Sequence, residues 1–304
     1  MDNFLIAPLL SLFEDPKQSF RGRVEPVGPD PIQHETARGR RMSEFDADDD
    51  LQDATFTDTK LSNARFHRVD LRGARFRASN MSGMVLRAVD VDRSEIDAPW
   101  LYEGTLMVND VDVVPLVDAE LDRRFPGRSQ RRAADPDGVR AAWTAVQAAW
   151  DAVLRRVETM PDGTADLSIA DEWSFAETLR HLVLATDMWL GRSVLGKEQP
   201  FHALALGANL PDWADHSVFV AGIPTYAEVL DARVGRVAMV TEFLSTVTVE
   251  DLAGQVSNPN APEYNETVLS CLHTILEEEW EHQRYAVRDL DRIAAGQVSA
   301  SAGI

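Results

Sequence analysis

The chain has one cysteine, Cys271, in 304 residues. It therefore has no internal disulfide and no cysteine-built zinc cage, and it suits a reducing compartment. It also lacks any apolar run near the roughly 20 residues that a membrane span needs. Basic residues are scarce beside acids, 30 Lys and Arg against 50 Asp and Glu, for a net charge of −20. That balance argues against nucleic acid as the main ligand, because phosphate binding needs a basic surface. The N-terminal stretch MDNFLIAPLLSLF has an apolar patch. An acid precedes it and no small-residue cleavage site follows, so it does not read as a signal peptide. These absences lead us to expect a cytoplasmic protein with neither membrane nor nucleic acid as a partner.

Residues 1–41 read as an N-terminal extension, partly disordered, rich in Pro, Gly and charge after the apolar patch. From Asp50 the chain repeats every five residues, with apolar centres at Leu51, Phe56, Leu61, Phe66, Leu71, Phe76, Met81, Leu86, Val91 and Ile96. Small side chains precede several centres by two positions: Ala54, Ala64, Ala74 and Ser79. Residues 42–98 thus resemble the pentapeptide-repeat family, whose units read A(D/N)LXX. The resemblance implies a right-handed quadrilateral β-helix with one repeat per side, its centres and small residues facing inward. Stacked coils would bury a continuous core. Acids and bases balance over residues 50–98, eight of each. The segment therefore reads as a structural cap, dimer surface or protein contact rather than a mimic of DNA.

Residues 99–135 read as a connector. Leu106–Val108 and Val111–Val114 flank Asn109-Asp110, which suits a small hairpin, and a short helix is expected at Pro115–Phe125. The run PGRSQRRAADPDG then reads as loop and linker. From residue 136 to 296 the pattern turns helical. Trp143, Val146, Trp150, Val153, Leu154 and Val157 recur at three and four, as one face of a helix requires. Ser174 with Glu177, and Thr225 with Glu228, are capping boxes that open a second helix (to about Val194) and a third, the latter carrying Leu230, Val234, Val237 and Leu244. A fourth helix is expected over Asn265–Ala295. Four amphipathic helices with unequal connections predict a four-helix bundle. Residues 297–304 are a tail.

Glu278 and His282 are four apart, which places both on one helix face. His181, on the second helix, is the best third partner. Two histidines and one glutamate are a donor set that holds zinc and leaves a position open; nickel or ferrous iron suit it too. His273 with Glu277 is the competing pair at the same spacing. His67, His202 and His216 have no companion at ligand spacing.

The WS-x-x-E-x-L-x-H-L stretch of the second helix and the E-x-x-x-H stretch of the fourth, in this helix order, resemble the DinB-like superfamily over about Val139–Ala295. Many members carry three histidines. Glu278 stands where the first histidine of the fourth-helix pair would be, which matches a branch that includes mycothiol-dependent maleylpyruvate isomerase. The resemblance implies a divalent metal, a low-molecular-weight thiol such as mycothiol as cosubstrate, and a small electrophile in a transferase or isomerase reaction. A homodimer is also implied. On this reading Trp173, Trp189, Trp280 and Tyr285 line the pocket, and Arg284 and Arg288 fork onto a substrate carboxylate. For each of these six the plain alternative is core packing or a solvated helix face. The competing function is a non-catalytic bundle that binds a metal or small molecule, with the repeats as its protein-interaction or dimerisation surface.

Overall fold

The structure is a computed structural model that describes residue 45 and residues 49–170, 172–206, 210–211 and 213–297. The expectations for residues 1–41 and for the tail beyond Gln297 fall outside these residues. The chain divides into two compact units, one ending at Met84 and the other beginning at Val85.

Through the repeats the backbone turns every five residues. φ is positive at Asp53, Asp58, Asn63, Arg68, Gly73, Ala78, Gly83, Ala88 and Arg93, always two residues after an apolar centre. Alternate corners are closed by a backbone hydrogen bond, as from Ala54 N to Leu51 O at 3.2 Å and from Ala64 N to Leu61 O at 2.9 Å. The pentad thus sets a regular turn. Among the described residues of the repeats there is no strand, and the apolar centres stand 39 to 68 % exposed rather than facing a core. A coil buries its centre only against stacked neighbours, and ten repeats supply about two and a half coils.

The second unit is mostly helical. A short hairpin joins β1 (Met107–Val108) to β2 (Val111–Asp112). Its turn residues Asn109 and Asp110 both have positive φ, the conformation a two-residue hairpin turn favours. Helix α1 follows at Val114–Arg124. The expected linker then departs from expectation. Arg128–Arg132 form a 3-10 turn in which Arg128 and Arg131 are buried. Gly127 makes that turn fit: its φ is 96°, and a Cβ there would lie 2.7 Å from the Ala145 Cβ.

Helix α2 (Pro136–Glu158) starts on an Asp135 cap and buries Val139, Trp143, Val146, Trp150, Val153 and Val157. Helix α3 (Phe175–Thr186) opens on the expected capping box; Glu177 N donates to Ser174 Oγ at 3.2 Å and Ser174 N to the Glu177 carboxylate at 2.8 Å. It continues as a π-helical segment, Asp187–Val194. Helix α4 (Tyr226–Thr246) opens on the Thr225–Glu228 box. Of the residues expected along it, Leu244 is buried and Leu230 and Val237 are half-buried, but Val234 turns outward. Val229, Ala232, Arg233, Val240 and Leu244 are buried, whereas Val234 is 67 % exposed. Arg233 accounts for this, because it turns inward to pair with buried Glu279.

A four-residue helix α5 (Val249–Leu252) leads into a second hairpin, β3 (Gln255–Ser257) with β4 (Asn265–Thr267). Helix α6 (Val268–Ala294) starts where β4 ends. Asn265–Thr267, expected as the first turn of that helix, is therefore strand, and Thr267 serves as its N-cap by accepting from Ser270 N. α2 packs against α4 and α6, and α3 packs against the same two. Leu179, Leu182, Leu272, Ile275 and Leu276 fill the space between them. Each such side chain contributes roughly 1.5–3 kcal/mol by leaving water.

Candidate metal centre

His181 lies on α3, in the second turn after its capping box. Glu278 and His282 lie one turn apart on α6, the helix packed against it. The three converge. One ligand atom from each residue falls within 4.8 Å of the others, and all three side chains are buried. His181 Nε2 is 3.1 Å from Glu278 Oε2, and the two imidazole rings are 4.5 Å apart.

Burial sets the protonation of the trio. It lowers His181 to a pKa of about 3 and His282 to about 4, so both rings are neutral at neutral pH. His282 Nδ1 lies 2.8 Å from the Glu278 carbonyl oxygen and donates to it, which leaves the lone pair on Nε2, the tautomer a metal ligand requires. Burial also pushes the Glu278 carboxyl upward. Its Oε1 is buried with no hydrogen-bond partner among the described residues. A buried carboxyl with an orphaned oxygen, set between two neutral imidazoles, lacks a compensating positive charge within the trio. A divalent cation fits that deficit and that donor set.

Residues 145–286 match the family model of the DinB superfamily, and residues 50–87 match that of pentapeptide repeats, in eight copies. The helical domain belongs to the DinB superfamily. That superfamily is known for binding metal, in keeping with the trio. No curated protein and no solved structure matches the chain.

Around the trio the DinB domain sets aromatic walls. The Trp173 ring is 4.7 Å from that of His181 and stacks near-parallel on His282, 18° off at 6.1 Å. Tyr285 meets His282 edge-on at 5.7 Å. The other two tryptophans are part of the packing. Trp189 is buried in the π-helical segment. Trp280, two residues from Glu278 and so across the helix, packs against the turn at Gly127.

Arg284 and Arg288 both lie over the Tyr285 ring, their guanidinium carbons 4.5 and 5.1 Å from its centre. Both reach a carboxylate, but it belongs to Asp97: Arg284 Nη2 is 2.6 Å from Oδ1, and Arg288 Nη1 is 3.0 Å from Oδ2. Asp97 carried no signal in the sequence, since its partners lie 187 and 191 residues away.

The glutamates beside Glu278 on α6 are each matched by an arginine. Glu277 takes Arg131, Glu279 takes Arg233, and Glu281 takes Arg284 with Arg128 nearby. His273, the competing candidate, instead donates from Nε2 to the Ala133 carbonyl at 2.8 Å. The competing pair therefore does not form: its glutamate is held by an arginine and its histidine by main chain.

Proposed function

We propose that the DinB domain holds a divalent cation on His181, Glu278 and His282, with zinc the first choice and nickel or ferrous iron the others. The domain would use it as a thiol transferase or isomerase, with a low-molecular-weight thiol of mycothiol type as cosubstrate and a small electrophile as substrate. The observation that carries this is the buried meeting of two neutral imidazoles and one carboxyl, with ligand atoms within 4.8 Å. Three protein donors leave a coordination position for a ligand. Bound there, such an ion supplies acidity, lowering the pKa of a coordinated thiol or water.

The chain's own residues supply the rest. The Glu278 carbonyl fixes the tautomer of His282. Trp173 packs on both imidazoles and Tyr285 stands perpendicular to that of His282, which helps to fix the ring positions. Burial keeps both rings neutral across the pH range in which a thiol cosubstrate works.

The exposed row of repeat centres favours a second reading, in which the domain binds its ligand without turnover and the repeats serve a protein contact or a homodimer. In either reading the repeats form a square right-handed β-helix and the protein works in the cytoplasm. No described helix is long and apolar enough to cross a membrane.

Metal analysis of the purified protein tests the site. Near-stoichiometric zinc or nickel that disappears in His282→Ala supports it, and consumption of a thiol with a bimane electrophile supports the enzyme reading. Folded protein that takes up no divalent metal overturns both.

A further inference from the structure

The carboxylate of Asp97 lies across two guanidinium groups, those of Arg284 and Arg288, near the candidate metal centre. Its two oxygens are divided between them: Oδ1 lies 2.6 Å from Arg284 Nη2, and Oδ2 lies 3.0 Å from Arg288 Nη1 and 3.3 Å from Arg284 Nη1. Parallel contacts of this kind are how arginine recognises a planar carboxylate. The other acids on these arginines play a different part. Glu281 and Asp289 sit on α6 itself and orient the guanidinium groups from three residues and one residue away, while Glu172 is a half-exposed contact of Arg288 alone. Among the described residues only Asp97 spans both arginines.

Asp97 belongs to a segment with neither helix nor strand, and its side chain is 28 % exposed, so solvent reaches it. Glu95 pins the same segment to Arg292, at 3.3 Å, one turn further along α6. The fork stands one tyrosine ring from the trio. The Tyr285 ring stands perpendicular to that of His282, and both guanidinium groups lie over it.

We propose that Arg284 and Arg288 form a carboxylate subsite of the candidate centre, that the ligand of this site carries a carboxylate, and that Asp97 is an internal stand-in which this ligand displaces. The segment from Glu95 to Asp97 then acts as a strap over the subsite. The inference deepens the function proposed above and rests on it for what happens to the ligand. The subsite itself stands on the contacts of Asp97.

Calorimetric titration of the full chain with succinate, and with inorganic phosphate as a second anion, tests this. Removing the stand-in frees the fork, so Asp97→Asn binds succinate about fivefold more tightly than the unaltered chain, the size expected when a competing, partly exposed ion pair is lost. Asp97→Glu keeps the charge and stays close to the unaltered chain. Adding Arg288→Gln to Asp97→Asn abolishes the gain. Amide exchange read in the unaltered protein gives a second measurement: succinate accelerates exchange over residues 95–98. A gain for phosphate without one for succinate overturns the ligand class. Equal affinities in Asp97→Asn and the unaltered chain, or exchange unmoved by saturating succinate, overturn the subsite. Metal content is measured on the same samples. A succinate gain in metal-free protein keeps the subsite and counts against the metal reading; full metal content without the gain does the reverse.

Discussion

Arg131 reaches from the 3-10 turn ahead of α2 to Glu277 on α6, 146 residues away, and closes to 3.0 Å with both side chains buried. Asp118 also contacts Arg131, at 2.8 Å, and Arg132 contacts Glu277 at 3.6 Å. The turn is thereby locked to the helix that carries two of the three candidate ligands.

Breaking that pair from one side leaves a buried charge uncompensated. Arg131→Met should lower stability by about 3 kcal/mol, and Arg131→Met with Glu277→Leu should recover most of the loss, because two apolar groups need no partner. Urea unfolding of the three proteins checks this; a double variant as weak as the single one would contradict it.

Asp187 provides a pH signature away from the trio. Burial raises its pKa to about 6, against the opposing pull of Arg236 and the His202 N–H. Between its ordinary value of 3.8 and about 6, the folded chain holds a proton that the unfolded chain releases. Stability at this group therefore falls as pH rises through that window, and the cost is complete above it. Asp187→Asn removes the slope. Between pH 4.5 and pH 7 the unaltered chain should lose on the order of 2 kcal/mol relative to the variant, measured by urea unfolding at each pH.

If a cation holds α3 to α6, its removal should loosen the pair. A chelator should lower the melting temperature of the unaltered chain and leave that of His282→Ala unchanged. At a free metal concentration of 100 times Kd the difference corresponds to about 2.7 kcal/mol. Differential scanning calorimetry with and without chelator reads it.

Gly127 meets two demands at once, a φ of 96° and a Cβ position 2.7 Å from the Ala145 Cβ. Gly127→Ala should cost about 2 kcal/mol through backbone strain and overpacking together. The loss should appear as a lower urea midpoint at unchanged slope.

What could be read from the sequence was local. The α2 stripe, the two capping boxes and the Asn109-Asp110 turn each depend on residues within a few positions, and each forms. The spacing of Glu278 and His282 was legible for the same reason, and His181, on the second helix, was the best third partner to join them. What stayed hidden depends on distant partners. Arg128 and Arg131 looked like linker because their acids lie on other helices. Val234 looked inward-facing because nothing nearby announces that Arg233 would claim the inner face. The periodic centres of the repeats announced a buried interior, but their burial depends on stacked coils rather than on the pentad itself.

The arginine turn also bears on how the protein can be cut. The DinB match begins at residue 145 and α2 at Pro136, so either looks like a natural place to start a truncated version. Both cuts would discard Arg128, Arg131 and Arg132, stranding Glu277 in the interior and depriving Glu281 of one of its cations. The smallest piece that stands alone must reach back through α1, whose Asp118 and Asp122 hold Arg128 and Arg131 in turn. Its electrostatic border lies upstream of the one that helix pattern or family match would draw.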